Sequence, residues 1–442
     1  MHGVMTELSF TCVNRLLPAT CQNIFIGYSG GVDSQVLLHL CAVQTDLRPK
    51  ITAVYVHHGL QAAADDWAEH CRQQCQLLAV NFTQLNVNAQ PKPGESPEAA
   101  ARQARYAAFR ELMGKHDVLL LAQHREDQLE TVLLQLFRGS GLSGLAAMPA
   151  VMDFGGGLLL RPLLDSAKAD IQQYAVQHLL QWVEDPSNQC NDFDRNFLRN
   201  EILPVLKQRW PSLDKTVARS AGHCAAAQQI LDATLAEQLA ALSDPIAHSF
   251  KLDGWRQFDG ARQTLLLRAW LQACGLRPPS QAVLNAIIKQ LIQAGDAANP
   301  QVLLQNHVIR KYRQKLFCLP IAYFQRDTGV IDWGREHSRI TMANGYNLFR
   351  EAADSGIDQQ IWYSGQVTIG FRQGGELLKL VDRDGHHCLK KLFQAAGIPP
   401  WERDVRPLIY IDQRLAAVAG LWVAEWAWRQ APGYCYRLDW RP

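Results

Sequence analysis

A six-residue loop, Ser29-Gly30-Gly31-Val32-Asp33-Ser34, constrains this chain most. It stands directly between a short apolar run, 23–28 (NIFIGY), and a stretch with helical spacing, 32–41. Two adjacent glycines let a backbone curl tightly around a ligand without Cβ clashes. The helix that follows presents free N–H groups and the positive end of its dipole, and two serine hydroxyls add donors. Together these features point at a phosphate group. Asp33 would repel a phosphate, and it makes sense there if it holds a magnesium ion bridging the phosphates. The plainer reading is a Gly-Gly turn in which Ser and Asp cap a helix, since those residue types are favoured there too. The chain has no GxxxxGK[ST] sequence, so the loop is not that of the P-loop NTPases.

The pattern around the loop fixes the fold class. Strands are expected at 23–28, 51–56, 80–87 and 117–122, alternating with helices at 32–41, 67–78, 97–113 and 126–137. Such alternation predicts an α/β fold, a parallel sheet with helices on both faces that binds its ligand at the carboxyl ends of the strands. A Gly-rich stretch, 139–157, then precedes a helix at 166–180, a polar loop at 185–194 and a helix ending near Arg209. Trp210-Pro211-Ser212 reads as a boundary. From 213 to 295 helix is the only structure expected, clearest at 262–274 and 280–294, and short β-like runs return after 300. The expected organisation is a parallel-sheet nucleotide-binding domain over 1–212, a mainly helical domain over 213–330 and a small mixed α/β domain over 331–442.

No apolar run approaches the ~20 residues of a membrane span, and residues 1–10 carry no basic stretch leading into an apolar one, so a cytoplasmic protein with no membrane partner is expected. The 11 cysteines are scattered, with no CxxC pair, which argues against a zinc or iron–sulfur site. Net charge is +2, but 213–330 carries a surplus of five positive charges while 1–212 is acidic by four. A basic middle segment hints at a polyanionic partner, although a solvated helical surface would look the same.

SGGVDS after a first strand resembles the pyrophosphate loop of the PP-loop ATP pyrophosphatases, which have an adenine nucleotide hydrolase-like fold and activate a carbonyl oxygen by adenylation. Later segments resemble one branch, the tRNA(Ile)-lysidine synthetases. They are VHHGL (56–60), the E-x-x-AR-x-x-RY pattern formed by Glu98, Arg102, Arg105 and Tyr106, and QHREDQLETVLLQLFRGSGLSGLAAM (123–148). EDPSN (184–188) and RNFLRN (195–200) match another segment of that family, and FRQGGE (371–376) and KKLFQAAGIPPWERDVRPLI (390–409) resemble the tail of its longer members. Glu126 stands where that family usually has Asp.

The resemblance implies a ligase that uses ATP and Mg2+ to convert the wobble cytidine of a CAU-anticodon tRNA(Ile) to lysidine. ATP adenylates the cytosine 2-oxo oxygen, and the ε-amine of free L-lysine then attacks that carbon and expels AMP. It implies ATP contacts at Ser29, Gly30, Gly31, Val32, Asp33, Ser34, His57 and His124, with catalytic roles for Asp33, Asp127, Glu130 and Arg102. Asp33 and Asp127 would hold metal, Asp127 or Glu130 would meet the lysine amine, and Glu130 is assigned to lysine recognition. Arg195 and Arg199 are either phosphate contacts or surface arginines paired with Asp194 or Glu201. Lys390, Lys391, Arg403 and Arg406, with Trp401 nearby, form a basic cluster with a ring that could stack on tRNA bases, unless Trp401 is core. A homodimer is possible. The alternatives are a related tRNA 2-thiocytidine enzyme, which would need sulfur-carrying cysteines, and a non-catalytic tRNA-binding protein.

Overall fold

The computed structural model describes residues 8–59, 64–91, 96–245, 248–277, 279–293, 300–334 and 336–441. Leu60 of the VHHGL segment and Ala294 of the expected 280–294 helix lie outside them. The chain divides into two compact units, Met1–Asp232 and Ala233–Pro442.

The first unit is built on one sheet: β1 (Ile24–Gly27), β2 (Ile51–His57), β3 (Asn81–Asn86), β4 (Val118–Leu120), β5 (Val151–Phe154) and β6 (Gly157–Leu160). The order is β3-β2-β1-β4-β6-β5, parallel throughout except for β5, which pairs antiparallel with β6. Among its helices are α1 (Val32–Ala42), α2 (Ala64–Leu77), α3 (Pro97–Leu112), α4 (Arg125–Phe137) and α5 (Lys168–Gln177).

Strand periodicity explains the layering, because successive side chains point to opposite faces. Ile24, Ile26, Ile51, Ala53, Val118, Leu120 and Leu160 join one buried core with α1 residues Val36, Leu37 and Leu40. Their neighbours Val54, Val56, Leu119 and Leu159 join another, with Phe109 and Met113. With both faces covered, β1, β2 and β4 read as nearly unbroken apolar runs rather than alternating ones. Each fully buried Ile or Leu contributes about 1.5–3 kcal/mol.

Two local expectations change. The Gly-rich stretch carries the β5–β6 hairpin, and β6 extends the parallel sheet beyond β4. Gly157 permits this: a Cβ there would lie 2.1 Å from the Asp117 carbonyl oxygen on the neighbouring strand. In the second unit, the region read as purely helical does contain helices Gly260–Ala273 and Gln281–Ile287, but also strands Ser243–Asp244 and Ser249–Lys251. These two complete a five-stranded antiparallel sheet with Gln301–Leu304, His307–Tyr312 and Lys315–Pro320. Strands of two and three residues are too short to show a period in sequence. The remainder of that unit has a second five-stranded sheet, a three-stranded sheet dominated by Asn347–Asp358 and Trp428–Arg441, and short helices Leu389–Ala395 and Pro400–Val405.

Candidate active site

In the sheet order, β1 is flanked by β2 on one side and β4 on the other, so the crossovers reverse direction between β1 and β4. A parallel sheet opens a crevice at such a point, outside the carboxyl ends of the strands. The 29–34 loop leaves β1 there, and His124, which caps α4, follows β4.

The loop is pinned from below and open above. Gly30 has φ +80, a conformation that favours glycine, and a Cβ on it would meet Cys71 Sγ at 3.0 Å. The Gly30 carbonyl accepts the Val183 N–H at 2.9 Å. Ser34 Oγ donates to the Gly31 carbonyl at 2.9 Å and accepts the Ser29 N–H at 3.2 Å. A Cβ on Gly31, by contrast, would touch only Ser29 Oγ, at 3.6 Å. Space therefore stands over Gly31, beside the first-turn N–H groups of α1, which have no intrahelical acceptor. That is a cradle for an anionic group.

Beside it lies a network of charges. His124 is 1% exposed. Its Nε2 lies 3.7 Å from Asp33 Oδ2 and 3.5 Å from Asp127 Oδ2, and its Nδ1 lies 3.4 Å from Glu126 Oε2. Burial disfavours the imidazolium, but the three carboxylates outweigh it and raise the pKa to about 9. Burial also opposes ionisation of Asp33, and the cations of His124, Lys168 and Arg199 overcome it, leaving the carboxyl below its ordinary value. Glu126 is likewise buried, yet its contact with His124, the Lys168 N–H at 3.0 Å and Lys207 Nζ at 3.2 Å bring it down to about 2.

A raised histidine pKa means that its contribution to stability is fully present below pH 6.5 and fades as pH rises through about 9. In proton NMR of the protein alone, the His124 ring should therefore titrate near pH 9, and Glu126→Gln should move that midpoint down. A wild-type midpoint near 6.5 would contradict the charge network.

Glu130 has no exposed surface. Its Oε1 accepts from Arg199 Nε at 2.7 Å and its Oε2 from Arg199 Nη2 at 2.9 Å, with Arg195 Nε at 3.3 Å. Burial raises the Glu130 carboxyl, and the fork to Arg199 opposes that rise while holding the guanidinium charged. Arg199 Nη2 also reaches Asp127 Oδ1 at 3.1 Å, and Arg195 Nη2 donates to Thr131 Oγ1 at 3.0 Å. Arg199 lies on a single π-helical turn, Leu198–Ile202, a distortion often found at functional sites.

The sequence-based site is thus brought together in part. The 29–34 loop, Asp33, His124, Asp127 and Glu130 converge as expected. Arg195 and Arg199 pair neither with Asp194 nor with Glu201; they turn inward onto Glu130, Asp127 and Thr131. Glu130 cannot receive an incoming ammonium as it stands, because both oxygens are taken by guanidiniums. Arg102 is not among the carboxylates: exposed on α3, it lies 4.9 Å over the Tyr106 ring. His57, at the end of β2, meets Asp65 at 3.2 Å rather than the loop.

The expected tail cluster also changes. Trp401 is buried against Phe317 and Tyr312. Arg403 is buried on the Ile398 carbonyl, at 2.8 Å from Nε and 2.6 Å from Nη2. Arg406 is buried on the Ala419 carbonyl and Glu402, under the Trp440 ring. All three belong to short helix Pro400–Val405 or its cap, whose packing takes the three side chains out of solvent. Lys390 and Lys391 remain exposed. Conversely, Lys168, Lys207 and Arg161, a buried guanidinium on Gln123 and the Pro149 carbonyl, carried no sequence signal. Gln123 is 38 residues from Arg161 and Glu126 is 81 from Lys207, and only folding sets them together.

Known proteins resemble this chain along most of its length. The PP-loop domain family matches residues 6–206, the TilS substrate binding domain residues 250–317, and the TilS substrate C-terminal domain residues 367–440. The chain is 41% identical over 405 residues to the tRNA(Ile)-lysidine synthase of Methylococcus capsulatus, covering 90% of this chain and 92% of that one. It is 39% identical over 436 residues to that of Yersinia pseudotuberculosis, covering 95% and 96%. A solved TilS C-terminal domain is 20% identical, with TM-score 0.22, covering 26% of this chain and 95% of that one.

Proposed function

Because the chain belongs to the tRNA(Ile)-lysidine synthase family, we propose that the crevice between β1 and β4 carries out both steps of lysidine formation, using Mg2+ and free L-lysine. The protein is an enzyme, a ligase that uses ATP to form lysidine in tRNA(Ile). The observation that carries the site assignment is the open cradle over Gly31 beside the buried charge network of Asp33, His124 and Asp127.

In this reading ATP lies with its phosphates over 29–34. Asp33 Oδ1 is buried and has no hydrogen-bond partner, so a cation suits it. Mg2+ is commonly held by one or two carboxylates plus substrate phosphates, and Asp33 supplies that carboxylate. Asp127 is the weaker ligand, since Oδ1 meets Arg199 and Oδ2 the His124 N–H. Bound there, the ion would neutralise charge on the phosphates. His124, held as a cation, does not serve as a base and instead fixes Asp33 and Asp127 in place.

Adenylation turns the poor 2-oxo leaving group into AMP. The lysine amine, whose free pKa is about 10.4, must then lose a proton before attack, and this reading gives that proton to Asp127, which must first release Arg199 or the His124 N–H. Glu130 acts on lysine indirectly, by fixing where Arg195 and Arg199 lie. The test is incubation with ATP, labelled lysine and bulk tRNA: label should enter tRNA only with ATP present, and no incorporation would sink the reading.

Residues after 212 serve tRNA binding in this scheme, with 213–330 and 331–442 as separate segments of a cytoplasmic protein that acts as a homodimer or as a single chain. No helix among the described residues is long and apolar enough to cross a membrane. With Arg403 and Arg406 consumed by packing, the exposed Lys390 and Lys391 are what remain of the tail cluster. Reversing both charges should weaken tRNA affinity and lessen the salt slope by about two, if each makes a phosphate contact. ATP binding should not change. Wild-type affinity and slope would assign the two lysines to solvent.

A further inference from the structure

We propose that Lys168 is a further phosphate-binding residue of the ATP half-reaction, its ammonium meeting the ATP polyphosphate opposite the 29–34 loop. The inference rests on the reading of that loop as the ATP cradle.

Three segments leave the carboxyl ends of neighbouring parallel strands: 28–34 after β1, 121–127 after β4 and 161–168 after β6. The last two are tied together. The Arg125 N–H donates to the Ser166 carbonyl at 3.1 Å, and the Lys168 N–H donates to Glu126 Oε2 at 3.0 Å. Glu126 is in turn 3.4 Å from His124 Nδ1, whose Nε2 faces Asp33. Lys168 thus starts α5 beside the cradle, near enough for its charge to favour the Asp33 carboxylate.

What distinguishes Lys168 is its lack of commitment. His124 is surrounded by three carboxylates, Arg199 is forked onto Glu130, Arg195 meets Glu130, and Lys207 meets Glu126. Lys168 Nζ, half-buried, has no hydrogen bond or ion pair among the described residues. A lysine is a compact point charge on a flexible stem and a common phosphate binder. When the cytidine 2-oxo oxygen attacks the α-phosphorus, the bond to the bridging oxygen breaks and pyrophosphate departs with the electron pair. An ammonium beside that oxygen offsets the charge it gains.

The tie to Glu126 uses the Lys168 backbone, so a side-chain substitution leaves it in place. In the full-length protein, tRNA-dependent pyrophosphate release would be measured against ATP concentration, and lysine incorporation against lysine concentration. Lys168→Met should lower kcat/KM for ATP about tenfold or more, leave the lysine KM unchanged and keep the thermal midpoint, while Lys168→Arg should recover most of the loss. The proposal is overturned if Lys168→Met stays within twofold for ATP, or if ATP and lysine parameters fall together with the thermal midpoint. Wild-type protein that released no pyrophosphate with tRNA would instead remove the ATP reading beneath it.

Discussion

Asp33→Asn should abolish pyrophosphate release from ATP in the presence of tRNA, lowering kcat by about 10²–10³-fold or more, the scale set by losing one preorganised electrostatic group. The substitution keeps shape and removes charge. Asp33 Oδ1 is buried and unpartnered while Oδ2 faces His124 at 3.7 Å, so one oxygen is committed to the network and the other is left for the cation proposed above. Because surrounding cations depress the carboxyl, its ionised form contributes stability above the unfolded pKa of 3.8, and that contribution is lost as pH falls through the lower folded value. The amide forfeits this contribution, so the variant should melt modestly earlier at neutral pH yet remain folded. Circular dichroism paired with a pyrophosphate-release assay measures both. Wild-type turnover in a folded Asp33→Asn protein would remove the metal role.

Glu130→Gln should be the most destabilising single substitution at the site. It deletes the negative partner of two half-buried guanidiniums in a place with no exposed surface. Breaking a buried pair from one side costs about 3–5 kcal/mol, because the surviving charge is left uncompensated. Arg199 retains Asp127 at 3.1 Å, which limits the loss and pulls that acid out of its present position. Activity should therefore fall through both stability and geometry, with lysine use weakened more than ATP use. Denaturant unfolding of Glu130→Gln, Arg199→Met and the double variant would show the coupling: the double should be less destabilised than the sum of the singles. Simple additivity, or an unchanged lysine KM in Glu130→Gln, would mean that the fork serves neither fold nor lysine.

The parallel sheet was legible in sequence because β1, β2 and β4 are buried on both faces. That leaves their apolar runs unbroken, and the helices between them keep their own spacing. The 29–34 loop was legible because its requirements are local: positive φ at Gly30, a helix start at Val32, a hydroxyl returning to the backbone at Ser34. QHREDQLET was recognisable for a similar reason, since His124, Asp127 and Glu130 lie within two turns of one helix. The β5–β6 hairpin escaped notice because four-residue strands broken by Gly155 and Gly156 leave too little period to read.

Sequence by itself determined the fold class and the conformation of the 29–34 loop, because both follow largely from contacts made within a few residues. Tertiary structure alone decided which charges are free to act. Arg195 and Arg199 sit 64 to 72 residues from the groups they meet, and Arg403 and Arg406 sit on carbonyls that no spacing announces. A buried charge must find a partner or pay a desolvation cost of several kcal/mol. Folding therefore sorts the ionisable residues into those consumed by pairing and those, such as Lys168, whose charge is left without an ion pair among the described residues. That sorting depends on distances between remote parts of the chain, which the order of residues does not display.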